Sequence, residues 1–342
     1  LLGVEAEVDG RGHRGDVTSL TFSPDGTAGV NVAGDGVVRF RVRAQAGDIK
    51  KVVLSRLPAV THITDPDQRT LALEFRRTAD GEALVGGMVN VGAVFRRGAV
   101  VERPAPPTAH ALHAHLLALE EHGCDAAPRP VGLTADGREQ LTFVPGDVAL
   151  SPYPRWAMTE TALRSVGSLL RRLHDVSAVI PVDARAEWPR SLSDPAGGTM
   201  LCHNDVCPDN VVFRDGRAVA LIDFDMAAPG RPVWDVAMTA RYWVPMLDPA
   251  SATVLHPAGL DAPARLRILA DGYGLSPQER AELPGVIEEA TAACRALVAG
   301  RVADGDPVFT RALSEGGGWQ RWDRIQGWLA ANREVFTAAL PD

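Results

Sequence analysis

His203-Asn204-Asp205-Val206-Cys207-Pro208-Asp209-Asn210, followed by Leu221-Ile222-Asp223-Phe224-Asp225, decides how this chain is read. The first segment offers an aspartate placed to accept a proton and, one helical turn on, an amide oxygen able to ligate a metal. The second places further carboxylates at the end of an apolar strand, where a divalent cation bound to nucleotide phosphates can be held. These are the residue types that phosphoryl transfer needs, in the order it needs them.

Outward from this pair, Val211-Val212-Phe213 and Val219 to Ile222 read as two small strands, and from Trp234 the chain is mostly helical. Upstream, Thr159 to Val176 carries one apolar stripe through Leu163, Val166, Leu169, Leu170 and Leu173. A hinge is expected at Pro145-Gly146, preceded by strands at Arg129 to Leu133 and Gln140 to Val144. Thr108 to His122 has helical spacing through Leu112, His115, Leu116 and Leu119 and stops at Gly123. Before it, Ala83 to Phe95 reads as strand, glycine turn and strand, and Ala99 to Arg103 as a third strand stopped by Pro104. The expectation is an α+β chain: a β-rich extension over 1–80, a small β-rich lobe with one helix over 81–145, and a larger helical lobe over 146–342.

The extension contains Val17 to Phe22, a turn at Ser23-Pro24-Asp25-Gly26, and Gly34-Asp35-Gly36 before Val37-Val38-Arg39-Phe40. With Gly12-His13 it resembles one WD40 propeller repeat lacking the closing Trp-Asp. A blade needs neighbours on both faces and the chain has no second copy, which excludes a complete propeller. A β-rich segment packing on the small lobe is the favoured reading over a working protein-interaction blade.

The formal net charge of −8 over 342 residues argues against nucleic acid as partner, because phosphate neutralisation needs clustered cations. The hydrophobic and charged fractions, 46% and 23%, are those of an ordinary globular protein. Cys124, Cys202, Cys207 and Cys294 show no zinc-type pairing and are sparse for a disulfide scaffold, so a reducing cytoplasm is expected. No stretch approaches about eighteen apolar residues, and neither export nor membrane anchoring is expected. Leu1 in place of Met leaves room for residues upstream.

The lobe order and the two motifs resemble the aminoglycoside phosphotransferase and choline kinase superfamily, which has the two-lobed protein-kinase-like fold. The resemblance runs from about Leu84 to Phe336, and its specific part is His203-Asn204-Asp205, Asn210 and Asp223-Phe224-Asp225. Cys202 to Pro208, Ala227-Ala228-Pro229-Gly230-Arg231-Pro232 and Trp234-Asp235 make it most similar to the actinobacterial branch related to the trifolitoxin immunity protein. The resemblance implies that Asp205 orients or deprotonates the acceptor hydroxyl, that His203 braces the loop, and that Asn210 and Asp223 hold Mg2+ against ATP or GTP. Asp225 either joins the metal site, faces a cationic substrate, or serves as a cap or loop ion pair. Asp235 is given a structural role, tying the next helix to the catalytic loop.

On the nucleotide side the pattern departs from the family. The lysine expected on the third strand is replaced by Arg103, since the lysines are Lys50 and Lys51, and the glutamate expected early in the next helix is replaced by Ala109 to His113. Arginine stays charged and forms bidentate phosphate contacts, so Arg103 is a candidate phosphate ligand without its usual carboxylate partner. Gly86 and Gly87, with Gly92, either approach phosphates through backbone amides or form a hairpin turn. Phe143 and Val144 are expected to face the nucleotide base. His110, His113 and His115 do not share one helix face and read as surface residues rather than metal ligands. Gly316-Gly317-Gly318 reads as a loop, and Glu315 or Asp323 as an open choice for contacting a cationic acceptor. Two functions are compatible with this sequence: a kinase acting on a small hydroxylated molecule such as an aminoglycoside-like natural product, or a toxin- or peptide-binding immunity protein with little or no transfer.

Overall fold

The computed structural model describes residues 93–341, together with the backbone of several strands that precede them. Among these earlier strands, β1 (Leu2–Val8), β2 (Gly29–Val32) and β3 (Val38–Ala44) pair antiparallel in the order β1-β3-β2, and β4 (Val52–Leu54) pairs with β5 (Leu71–Leu73). The strand from Val17 to Phe22, the turns at Gly12-His13, Ser23 to Gly26 and Gly34 to Gly36, Lys50, Lys51, and Gly86, Gly87 and Gly92 lie outside the described residues.

A five-stranded antiparallel sheet, ordered β6-β7-β8-β10-β9, is built from β6 (Glu82–Ala83), β7 (Phe95–Arg97), β8 (Val100–Pro104), β9 (Pro130–Leu133) and β10 (Arg138–Thr142). The β8–β10 register sets Arg103 opposite Glu139 and Glu102 opposite Gln140. Because side chains alternate across a strand, the two pairs take opposite faces. Glu102 meets Arg138 at 2.8 Å on the more accessible face, while Glu139 is completely buried.

Helix α1 (Ala109–Glu121) comes after β8 and ends before Gly123, whose φ of +78° suits glycine. It buries Leu112, Leu116 and Leu119, as their spacing predicts, and it also buries His113 and His115. The surface reading of these two histidines is therefore corrected; only His110 of the three is exposed. His113 Nε2 meets Glu139 Oε2 at 2.9 Å, and His115 Nε2 meets Ser177 Oγ at 3.2 Å.

Burial pushes the His115 imidazole down to about 4, from 6.5. The unfolded chain therefore takes up this proton first, and stability is fully present above pH 6.5 and declines as pH falls toward 4. His115→Gln is expected to weaken this decline by about 2–3 kcal/mol between about pH 7 and 4.5. Urea unfolding of both proteins at the two pH values measures it; parallel losses in the two proteins would contradict the assignment.

Helix α2 (Glu160–Ser177) opens on Thr159, whose side chain accepts the Ala162 N–H, and buries the predicted leucine and valine stripe. It lies close against α5 (Ala262–Tyr273), since a Cβ at Gly167 would stand 2.7 Å from the Leu269 carbonyl oxygen. Between α2 and α5 the chain forms β11 (Met200–Cys202), β12 (Val211–Arg214), β13 (Arg217–Leu221), β14 (Ala228–Gly230), α3 (Pro232–Trp243) and α4 (Pro249–Leu255). β11 pairs with β14 and β12 with β13. Helix α3 is apolar on nearly every side, with Trp234, Val236, Met238 and Trp243 at 0% exposure, which makes it the interior helix of the lobe. Each such side chain contributes about 1.5–3 kcal/mol on burial.

The long helix α6 (Pro277–Ala303) opens on a capping box, Ser276 with Glu279, and packs on α3. Helices α7 (Pro307–Glu315), α8 (Gly318–Ala331) and α9 (Arg333–Ala338) close the chain. The result is an α+β protein with a strand-rich lobe beside a helical one, and Pro145-Gly146 follows the last strand of the five-stranded sheet. A Cβ at Gly146 would lie 2.4 Å from the Phe213 carbonyl oxygen, and the adjacent Asp147 pairs with Phe213 through both backbone hydrogen bonds. No helix among the described residues is long and apolar enough to cross a membrane.

Candidate active site

The loop that carries Asp205 leaves β11 at His203 and is anchored by a carboxylate from α3. Asp235, completely buried, accepts the His203 N–H at 2.7 Å and the Asn204 N–H at 2.8 Å, and meets His174 Nε2 at 3.0 Å. Burial pushes this carboxyl up, but the His174 hydrogen bond and charge and the backbone donor prevail and hold it below the ordinary value. His203 Nε2 lies 3.0 Å from the Ile222 carbonyl and must donate there, while its Nδ1 lies 3.3 Å from the Asp205 N–H nitrogen and must accept. Burial lowers the His203 pKa, so the neutral ring that fits both contacts is favoured. His203 thereby ties the loop to the strand end that carries Asp223.

Asn204 and Asp223 adopt left-handed backbone, with φ of +63° and +64°. Asn and Asp tolerate that region better than other non-glycine residues, one reason these types stand there. A 3-10 turn over Pro208–Asn210 then brings Asn210 back onto Asp205. Its Nδ2 donates to the Asp205 carbonyl oxygen at 2.9 Å and to Oδ2 at 3.2 Å. The other oxygen, Asp205 Oδ1, accepts the Tyr242 hydroxyl at 2.8 Å. Burial, followed by the charge of Asp205, raises the Tyr242 pKa well above normal, keeping the phenol a neutral donor. No local motif marks Tyr242, since it lies thirty-seven residues downstream and only the course of α3 delivers it.

Arg103 is placed differently from a phosphate ligand waiting in the cleft. Its Nε donates to Glu139 Oε1 at 2.5 Å, its Nη2 to Asp225 Oδ1 at 2.6 Å, and its Nη1 to Asp223. Burial alone would lower its pKa; the charges of Asp223, Asp225 and Glu139 outweigh this and raise it. The missing carboxylate partner is thus corrected: Glu139 on the neighbouring strand takes the role expected of a helix glutamate, itself held by His113. Asp225 forms a loop ion pair with Arg103 beside Asp223. Burial and the charge of Asp223 push its carboxyl upward, with Arg103 opposing.

A cleft of about 800 Å³ runs between the lobes. Val101, Leu141, Phe143, Val144 and Ile222 line its strand side, and Asp205, Asn210, Asp223 and Asp225 border its middle. Phe143 donates its N–H to the Ala99 carbonyl at 2.8 Å and lies under the Arg96 guanidinium, 3.7 Å from the ring centroid. That amide is therefore committed within the sheet rather than offered to a base. Neither Glu315 nor Asp323 borders the cleft, and Asp323 pairs with Arg295 at 2.7 Å. Gly316 and Gly317 connect α7 to α8, with Gly317 capping α8 and Gly318 opening it.

A strand-rich lobe over a helical one, with Asp205, Asn210 and Asp223 gathered at the cleft between them, defines a chain of the protein-kinase-like fold with the furnishings of a phosphotransferase. Residues 182–269 match the phosphotransferase enzyme family. Over 260 residues the chain is 32% identical to the trifolitoxin immunity protein of Rhizobium leguminosarum bv. trifolii, covering 72% of this chain and 94% of that protein. The homoserine kinase of Mesorhizobium japonicum is 29% identical over 170 residues, 48% of this chain and 46% of the kinase. A crystal structure of a choline/ethanolamine kinase family protein from Mesorhizobium loti superposes with a TM-score of 0.52 at 18% identity, covering 77% of this chain and 93% of the other, a likeness of fold. The chain belongs to the phosphotransferase enzyme family, on the branch that holds the trifolitoxin immunity protein.

Proposed function

We propose that the protein transfers the γ-phosphoryl group of ATP or GTP to a hydroxyl of a small molecule. The observation that carries this reading is the Asp205–Asn210 hydrogen bond beside Asp223, which gathers a base and hard-oxygen ligands at one point of the cleft. The acceptor oxygen bonds to the γ-phosphorus, the bond to the β-phosphate bridging oxygen breaks, and the hydroxyl proton passes toward Asp205. Asn210 and Tyr242 hold both oxygens of Asp205, which fixes the direction in which it receives that hydroxyl.

The donor set fits Mg2+. Asn210 spends its amide nitrogen on Asp205, which leaves its carbonyl oxygen as a ligand atom, and Asp223 and Asp225 supply carboxylate oxygens. When bound, the ion would neutralise phosphate charge as the transferred group loosens from the donor. Arg103 shares both carboxylates, so it would hold them in place and stand beside the phosphates rather than grip them alone. Gly86 and Gly87 are further proposed contacts to the nucleotide. The proposed division is an extension over 1–80, a nucleotide lobe over 81–145 and a catalytic lobe over 146–342, in a cytoplasmic setting suited to four free, buried cysteines.

Mg2+ with ATP or GTP is expected to raise the melting temperature, since about 100 Kd of a ligand that binds only the folded state adds about 2.7 kcal/mol. Asp223→Asn should lose most of that shift. The second reading, a toxin- or peptide-binding immunity protein with little transfer, is favoured by the immunity relative and by Arg103 already occupying Asp223 and Asp225. No nucleotide-dependent shift in the wild type would count for it and against the kinase reading. A protein partner on the N-terminal extension belongs to this reading.

A further inference from the structure

The acceptor end of the cleft is walled by α3, α6, α7 and α8, and the charged residues these helices contribute to it are Arg241, Arg301 and Arg321. No carboxylate from these helices borders it. The acidic residues that do reach the cleft are Asp205, Asp209, Asp223 and Asp225 of the catalytic and metal segments, and Glu187 from the stretch between α2 and β11. None of the three arginines forms an ion pair within 4.0 Å among the described residues, in contrast to Arg103, which has three carboxylate partners.

Arg321 is 5% exposed. Its Nε donates to Ser251 Oγ at 2.9 Å and its Nη2 to the Ser251 carbonyl at 3.4 Å, while Nη1 is buried without a hydrogen-bond partner. Arg241 Nη1 is likewise buried without a hydrogen-bond partner, and Asp205 stands near enough that its charge, after those of Cys294 and Tyr242, helps hold the guanidinium in its charged form against burial. Burial lowers the Arg321 pKa to about 10, with the charge of Asp248 opposing from beyond ion-pair distance, which leaves the group charged at neutral pH. A buried guanidinium with an unmade hydrogen bond and no ion-paired carboxylate is costly, and such groups are rare in finished structures. Around these donors the wall is apolar, made by Leu297, Val298, Phe309, Trp322 and Ile325.

We propose that this end of the cleft binds a hydroxylated acceptor carrying a carboxylate on an apolar body. Arg321 and Arg241 receive the carboxylate through their unpaired Nη1 donors, and the hydroxyl reaches Asp205. A planar guanidinium suits a carboxylate, and the charge-assisted hydrogen bonds satisfy donors that the protein leaves open. The same wall repels a polycation, so the acceptor departs from the aminoglycoside-like class that the sequence resemblance suggested. The inference rests on the phosphoryl-transfer reading for the fate of the hydroxyl, whose oxygen gains the γ-phosphoryl group while its proton passes to Asp205. It does not rest on that reading for binding.

The test uses the full chain and a series of 3-hydroxyalkanoates, each paired with its neutral primary amide, with an aminoglycoside as polycationic probe. Thermal shift reads binding, and nucleoside diphosphate release reads transfer. At least one acid should stabilise the protein where its amide does not, and turn over with kcat/KM at least about tenfold higher, the loss expected when a charge-assisted hydrogen bond is replaced by a neutral one. Arg321→Met should erase the acid–amide difference, and Arg241→Gln, placed at the other donor, covers the case in which Arg321→Met does not fold. Acid-selective stabilisation without turnover supports the carboxylate site and overturns the kinase reading. Turnover of amides or the aminoglycoside at rates equal to or above those of the acids keeps the kinase reading and overturns the carboxylate site. Absence of any acid-selective binding overturns it as well.

Discussion

Asp205→Asn is expected to lower turnover by about 10²–10⁴-fold at a stability cost of about 1 kcal/mol. The amide occupies the same volume between Tyr242 and Asn210 but cannot accept the acceptor proton. It also changes the local hydrogen bonding, because Asp205 accepts from both the Tyr242 hydroxyl and the Asn210 amide, whereas an asparagine offers one acceptor oxygen. Because the transition state is loose, much of the loss is in orientation of the hydroxyl, so kcat should fall more than acceptor KM rises. The measurement is nucleoside diphosphate release with a hydroxylated acceptor, alongside urea unfolding. Turnover close to that of the wild type would remove Asp205 from the chemistry.

Glu139→Ala is expected to cost about 3–5 kcal/mol of stability, a large part of what a domain of this kind has. Glu139 has no exposed surface, and its two oxygens hold Arg103 at 2.5 Å and His113 at 2.9 Å. Its removal leaves a 6%-exposed guanidinium with an unmade bond on the strand side and frees the β8–β10 pair of its internal tie. Arg103 would then be positioned by Asp223 and Asp225 alone, so Mg2+-nucleotide binding should weaken together with stability. Denaturant midpoints at neutral pH and nucleotide-induced thermal shifts read the two effects. A midpoint change worth less than about 1 kcal/mol would show that the ion pair is offset by its own desolvation.

The two losses have different origins in the chain. Asp205, Asn210 and Asp223 are legible because they stand on one loop and one strand end, so spacing along the sequence carries their relation. The helices α1 and α2 are legible because leucines recur at the helical period. The surface reading of His113 and His115, drawn from their not sharing one face as metal ligands would, misplaces both. They flank Leu112 and Leu116 and turn inward because partners exist for them, Glu139 and Ser177, which no local pattern announces.

Sequence alone determined the α+β order of strands and helices and singled out the catalytic and metal-side candidates, since these depend on local periodicity or short spacing, and the kinase-like class followed from the resemblance those motifs carry. Only the tertiary structure decided who partners Arg103, because that comes from the register setting it opposite Glu139 and from the loop that returns Asp223 and Asp225 to the same place. It also decided that Tyr242 meets Asp205 and that Arg241 and Arg321 share one acceptor wall. Contacts between residues distant in the chain are fixed by strand pairing and helix packing, and the charge of a binding wall exists only once those helices stand side by side.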